Sequence, residues 1–276
     1  MPVRADVLLA DAYPQYSRAA LAKLFSQDAV MVDDDPAKAG DKIKPGHDIE
    51  ADISNLQKQA ESITMPIIYE DENVVVVDKP AGIISHARGK YWDEPSVASF
   101  IRDKVADLSG ERAGIVHRLD RATSGVMVCA KNPETLKFLQ KQFSDRRVSK
   151  SYIAIVQGQP EQESAKIDIP LERNPNKPQT FRASANGKYA ITEYKTLATN
   201  NKLSMLLLQP QTGRTHQLRV HLQHIGYPII GDVLYQGPVA ARLYLHAYSL
   251  KIILPKTGPQ VFYSPLPPEF IEEMAL

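Results

Sequence analysis

HRLDRATSGVMVCAK, residues 117–131, sets a polar turn directly against an apolar strand. Its first half carries His117, Arg118 and Arg121 around one carboxylate, Asp120, and continues into the turn formers Thr123, Ser124 and Gly125. Its second half, VMVCAK, is a run of strand formers that closes on Lys131. Taken alone, Asp120 has two readings. An aspartate in such a turn commonly accepts hydrogen bonds from nearby backbone N–H groups, whereas a pocket carboxylate flanked by cations is a candidate catalytic group.

Outward from this stretch, strands and helices are punctuated by clear stop signals. IIYEDENVVVVDKPAG (67–82) reads as two strands around an acidic turn, ended by Pro80 and Gly82. PSVASFIRDKVADL (95–108) has apolar residues at helical spacing, with Pro95 near the first position. In NPETLKFLQKQF (132–143), Asn132 is an N-cap, Pro133 the first helical residue, and Leu136, Leu139 and Phe143 share a face. SYIAIVQG and LSMLLLQP read as strands, THQLRVHLQHIG as a short helix closed by Gly226, and LYLHAYSLKIIL and QVFYS as the last strands. The class is α+β: a mixed, largely antiparallel sheet flanked by helices.

Residues 1–53 form a separate small α/β unit, with an amphipathic VLLADAY, a helix SRAALAKLF begun by Ser17, and short β-like pieces around AVMVDDD and DKIKPGHDIEADI. Ten acids in this unit face six Lys and Arg, seven when Lys58 of the linker is added, so the unit is acidic while the rest of the chain is basic. A polar linker, 54–66, joins it to a larger domain, 67–276.

The 276 residues suit one large domain and a small companion, and 43% hydrophobic with 24% charged residues is ordinary for a globular protein. One cysteine, Cys129, excludes an internal disulfide and a cysteine-rich zinc cluster. Asp6 and Asp11 interrupt any signal-like apolar run, and no stretch has the length of a membrane span, so a cytoplasmic protein without a membrane partner is expected. A net charge of +1 makes no case for nucleic acid by itself. Phosphate-loop, GxGxxG, HExxH, GxSxG and CxxC signatures are all missing. His216, His221 and His224 invite a zinc assignment, but residues five apart on a helix diverge by about 140°. Packing and hydrogen bonding at a helix surface is therefore preferred, and no metal is expected.

HRLDRATSGVMVCAK resembles the signature HRLDxxTSGhhhhAK of the RluA family of RNA pseudouridine synthases, in which the aspartate, here Asp120, is essential. VVVVDKPAGIISH (74–86) is similar to the family's preceding strand and turn, KSYIAIVQG (150–158) to its tyrosine strand, and TGRTHQLRVHLQHIGYPIIGDVLY (212–235) to its second signature. LHAYSLKIILP and FYSPLPPEF resemble its closing segments, so the likeness runs from about 67 to 270; HARGKYWDEPSV (86–97), which covers the pocket rim at 86–95, departs from it. Residues 1–53 resemble the αL-type RNA-binding domain first described in a ribosomal protein, with acids at Asp28 and Asp33–Asp35 where that domain is usually neutral or basic.

The resemblance implies conversion of uridine to pseudouridine in RNA with no metal and no cofactor. Asp120 acts at the sugar C1′ or at C6 of the base; Arg214 sits against it and keeps it ionised; Tyr152 stacks on the uracil and assists proton removal. Leu218 is a wall for the base, and Lys131 orders the loop or meets substrate. Arg118, Arg121, Arg146, Arg147 and Lys150 are placed to meet phosphates. Large-subunit ribosomal RNA is the expected partner and transfer RNA the alternative, bound by a monomer; a non-catalytic RNA-binding protein and a metal-assisted hydrolase are the competing classes.

Overall fold

The computed structural model describes residues 1–57, 63–87, 94–110 and 112–275. Two compact units emerge, one from Met1–Glu61 with Ala87–Pro95, the other from Ser62–His86 with Ser96–Leu276.

In the first unit, helices Ala5–Ala12 and Arg18–Phe25 bury Leu9, Leu21, Leu24 and Phe25 with Val30 and Leu56. Ser17 caps the second helix by accepting from the Ala20 N–H. Strand Val30–Val32 pairs with Asp35–Pro36 on one side and Ile49–Ala51 on the other. Arg4 and Arg18 both converge on Asp6, and their hydrogen bonds draw its carboxyl down to about 2. The expected linker is shorter than 54–66. It begins as helix Ser54–Gln57, whose Leu56 belongs to the first core, and Ile63 and Met65 already pack into the second. Residues 58–62 lie outside the described residues, as do 88–93 of the rim.

The second unit is organised on a nine-stranded sheet. Its strands are β1 (Ile67–Glu70), β2 (Val74–Lys79), β3 (Ser124–Ala130), β4 (Ser149–Gln157), β5 (Ser164–Asp168), β6 (Ile191–Thr199), β7 (Leu203–Pro210), β8 (Leu245–Leu254) and β9 (Gly258–Tyr263). The order is β5-β6-β7-β4-β8-β3-β2-β1, with β9 added to β8. β8 meets β3 in parallel at His246↔Ser124 and Ala247↔Gly125, and the other pairings of this sheet among the described residues are antiparallel. Gly125 is required there: at φ 118° its missing Cβ would stand 2.3 Å from the Ala247 carbonyl oxygen. β2 and β3 are buried along almost their whole length, as expected of interior strands.

Helix α1 (Pro133–Ser144) starts at Asn132, whose side chain accepts from Thr135 N–H, and seats Leu139 in the β2–β3 cluster. Helix α2 (Gln217–His224) places Leu218 and Leu222 in a second cluster with β4 and β7. Tyr152 packs against both clusters. The expected helix at 95–108 is instead one turn, Val97–Phe100, followed by a 3₁₀ turn at Arg102–Lys104. The β-branched Val105 then turns extended, at φ −106° and ψ 139°.

Candidate active site

The Asp120 turn is fixed from the side of β2. Ser85 Oγ donates to the Leu119 carbonyl at 2.8 Å and accepts the Leu119 N–H at 3.0 Å. Gly82 N–H reaches the Arg121 carbonyl at 2.8 Å. Lys79, fully buried at the end of β2, donates to the carbonyls of Pro80, Ile83 and Arg121 at 2.8, 2.7 and 3.2 Å. The segment DKPAGIIS thus serves as the clamp for HRLDR. Before the turn, His117 stacks on Phe143 and accepts the Val128 N–H at 3.1 Å. Burial, then the Lys150 cation, pushes its pKa to about 3, so the ring stays neutral and free to accept.

The turn itself closes through its main chain, Thr123 N–H to the Asp120 carbonyl at 3.1 Å. The carboxylate faces a cavity of about 460 Å³ lined by Arg118, Asp120, Lys150, Tyr152, Leu218 and Arg219 among others. Arg219 Nη1 lies 3.6 Å from Asp120 Oδ2, and His216 Nε2 lies 3.8 Å from the same oxygen. Arg219 is itself fixed by a two-pronged bond to Asp232, both contacts 2.7 Å, and by lying over the Tyr235 ring at 4.9 Å.

Arg214 does not hold the position expected of it. Its backbone N–H is taken by Gln217 Oε1 at 3.0 Å, and its Nε donates to the Tyr189 carbonyl at 3.0 Å, so it lines the exposed rim of the cavity. The cation beside Asp120 is Arg219, two residues inside α2 from its start. Sequence held a usable signal: His216 and Arg219, three apart at a helix start, share a face. Lys131 is also elsewhere. It forms an ion pair with Glu70 at 2.6 Å, donates to the Asp71 carbonyl at 2.6 Å, and contributes nothing to the cavity lining. Arg121 is exposed, with Nη1 at 3.5 Å from the Gly82 carbonyl, and Arg147 pairs with Asp145 at 2.8 Å. Arg118, Arg146, Lys150, Tyr152 and Leu218 do line the cavity with Asp120.

The loop 212–216 is positioned by Gln217, a buried amide with all four hydrogen bonds made. Its Oε1 accepts from Thr212 Oγ1 and Arg214 N–H, and its Nε2 donates to the Ile191 carbonyl and Thr192 Oγ1. The three histidines separate in role. His221 is a core residue bonded to Thr192 Oγ1 and the Ile169 carbonyl, each at 2.9 Å, and His224 is exposed. His216 precedes α2 and reaches Asp120, while His221 packs and hydrogen-bonds as expected, though in the core and not at the helix surface.

An arginine beside a carboxylate holds it in one orientation. Tyr152 presents an aromatic ring in the same cavity, and burial followed by the Asp120 charge raises its phenol, which therefore keeps its proton at neutral pH. A planar base can lie on such a ring while the carboxylate approaches the atoms beside it.

Residues 73–224 match the family described as RNA pseudouridylate synthase. The chain belongs to that family. As an RNA pseudouridylate synthase it is 42% identical over 222 residues, 76% of this chain and 68% of the relative, to the ribosomal large subunit pseudouridine synthase D of Borreliella burgdorferi. It is 34% identical over 294 residues to the protein of the same name from Pseudomonas aeruginosa, covering 99% of this chain and 91% of that one. The solved structure of human RNA pseudouridylate synthase domain containing 4 superposes with a TM-score of 0.61 at 28% identity, covering 76% of this chain and 91% of the human one. This synthase is an isomerase of uridine in RNA, and no helix among its described residues is long and apolar enough to cross a membrane.

Proposed function

We propose that the chain isomerises uridines of large-subunit ribosomal RNA, in the cytoplasm and as a monomer, with Asp120 as the reacting carboxylate. The observation that carries this is the placement of Asp120, backed by Arg219 at 3.6 Å, in one cavity with Tyr152 and Leu218. The relatives named ribosomal large subunit pseudouridine synthase D support the choice of RNA. The C1′–N1 bond breaks, the base turns, C1′–C5 forms, and the C5 proton is lost as N1 gains one. Electrons balance within the uridine, so neither an oxidant nor a reductant is called for. Tyr152 carries the base through the turn, Leu218 walls it, and Arg118, Arg146 and Lys150 meet the backbone. The base must leave its stack to enter, at a cost of a few kcal/mol that these contacts offset.

The test is release of tritium from RNA labelled at C5 of uridine. Wild type releases it from large-subunit ribosomal RNA, and Asp120→Asn, equal in shape and without the charge, folds and binds that RNA but releases none. Turnover by Asp120→Asn near the wild-type rate refutes the role of Asp120. Release from transfer RNA alone refutes the ribosomal substrate, and tight binding without release by wild type points to a binding protein of this fold.

A further inference from the structure

His216 is strained. It adopts the left-handed conformation, φ 55° and ψ 18°, immediately before α2, a region that non-glycine residues visit at a cost of order 1 kcal/mol or more. That backbone aims its imidazole between two partners. Nε2 lies 3.8 Å from Asp120 Oδ2, and Nδ1 lies 2.7 Å from the Tyr235 hydroxyl. Phe181 and Tyr235 set their rings edge-on to it at 5.8 and 5.5 Å.

The hydrogen-bond inventory of Tyr235 fixes the imidazole proton. Its oxygen accepts the Phe181 N–H at 2.9 Å, so its one proton is directed to His216 Nδ1. Burial lifts the Tyr235 phenol to about 12, which keeps that proton in place. Nδ1 is then an acceptor and Nε2 carries the N–H. The opposite tautomer would turn a lone pair toward the Asp120 carboxylate and leave the Tyr235 proton unplaced.

We propose that His216 is a positioning residue: locked by Tyr235 as the Nε2–H tautomer, it directs a neutral N–H donor at Asp120 and, with Arg219, fixes the carboxylate for reaction. This deepens the reading of Asp120 as the reacting group and rests on it. Burial lowers the His216 pKa below its ordinary 6.5, which keeps the ring neutral at pH 7. The charged groups around it are Asp120, Arg219, Asp232 and Arg118. Division of labour follows: Arg219 supplies charge from one side, and His216 supplies direction from the other without adding a second cation.

Two measurements test this on the full chain. The first is the two-bond ¹H–¹⁵N correlation spectrum of histidine-labelled protein, with the His216 signal assigned by its loss in His216→Asn. At pH 7 wild type shows the Nε2–H pattern, and Tyr235→Phe shows a mixture. An Nδ1–H pattern in wild type overturns the proposal. The second is steady-state kinetics. Asparagine tolerates the left-handed backbone, so His216→Asn removes the reach of the ring while preserving the turn. Its kcat falls several-fold, as suits a polar contact of 3.8 Å rather than a full hydrogen bond, with KM little changed. His216→Gln, with an amide N–H of similar reach, recovers part of kcat. A His216→Gln that recovers nothing, or a KM that rises in step with the fall in kcat, overturns the proposal in favour of a structural role. The tautomer is read without RNA, so a wild-type protein that makes no pseudouridine refutes the Asp120 reading separately.

Discussion

Arg219 and Asp232 meet through two 2.7 Å contacts while the third nitrogen of the same guanidinium stands 3.6 Å from Asp120. One buried arginine is therefore divided between a structural carboxylate and the candidate catalytic one. Arg219→Lys keeps a charge but loses the fork, and kcat on ribosomal RNA should fall at least tenfold with the fold intact. Arg219→Ala strands the buried Asp232 and should cost about 3–5 kcal/mol of stability in urea titration. Arg214→Ala, on the rim, should retain most of kcat and raise KM. Loss of kcat on Arg214→Ala with little effect from Arg219→Lys would reverse this assignment.

Lys150 lines the cavity with its Nζ 3.4 Å from the Thr212 carbonyl, and burial lowers its pKa to about 8. The cation is present below about pH 8 and lost above it. RNA affinity should therefore decline between pH 7 and 9 at constant salt. Lys150→Arg should flatten that decline, because guanidinium keeps its charge. Lys150→Met should weaken binding at pH 7 and reduce the slope of log affinity against log salt by about one. A filter-binding series at three salt concentrations reads both effects.

Lys79 supports the Asp120 turn from beneath. Lys79→Met withdraws donors from three carbonyls and should destabilise the protein by about 3 kcal/mol. Burial holds the Lys79 pKa at about 7 in the folded protein against an ordinary 10.5, so between those values the unfolded chain binds the extra proton. Stability of wild type relative to Lys79→Met should accordingly rise from pH 7 toward 10.5. Denaturant midpoints at pH 7, 8.5 and 10 check the sign.

Removal of residues 1–61 should leave turnover intact, since the cores of the catalytic unit draw on Ile63 and residues beyond it. Affinity for RNA should drop only modestly, with a slightly smaller salt slope. The first unit has few cations to offer: Arg4 and Arg18 are already spent on Asp6. A large loss of affinity would show that its remaining lysines make several phosphate contacts.

What sequence disclosed was local. HRLDRATSG and KSY are short contiguous runs, so the Asp120 turn and the start of the Tyr152 strand follow from adjacent residues alone. Arg214 and Lys131 stand away from Asp120 because partners far along the chain hold them. Arg214 is drawn off by Tyr189, and Lys131 by Glu70 and Asp71. Choosing between Arg214 and Arg219 needed the start of α2 to one residue, and that start is set by the Gln217 amide and the left-handed His216. Strands β5 and β6 escaped notice for a different reason. KTLAT in β6, beside the edge strand β5, is mostly exposed and carries little of the apolar pattern that marks an interior strand.

The parallel meeting of β8 with β3 has a kinetic corollary. Ser124 Oγ and His246 Nδ1, 2.9 Å apart at that seam, are separated by 122 residues of chain. Bringing them together closes a long loop before any pairing energy is gained, and such contacts form slowly. The hairpins β1–β2 and β6–β7 carry no such burden. Because Asp120 lies just before the seam and Arg219 within the loop that it closes, enzymatic activity after dilution from denaturant should return with the slowest refolding phase, well behind the far-ultraviolet signal of the strands.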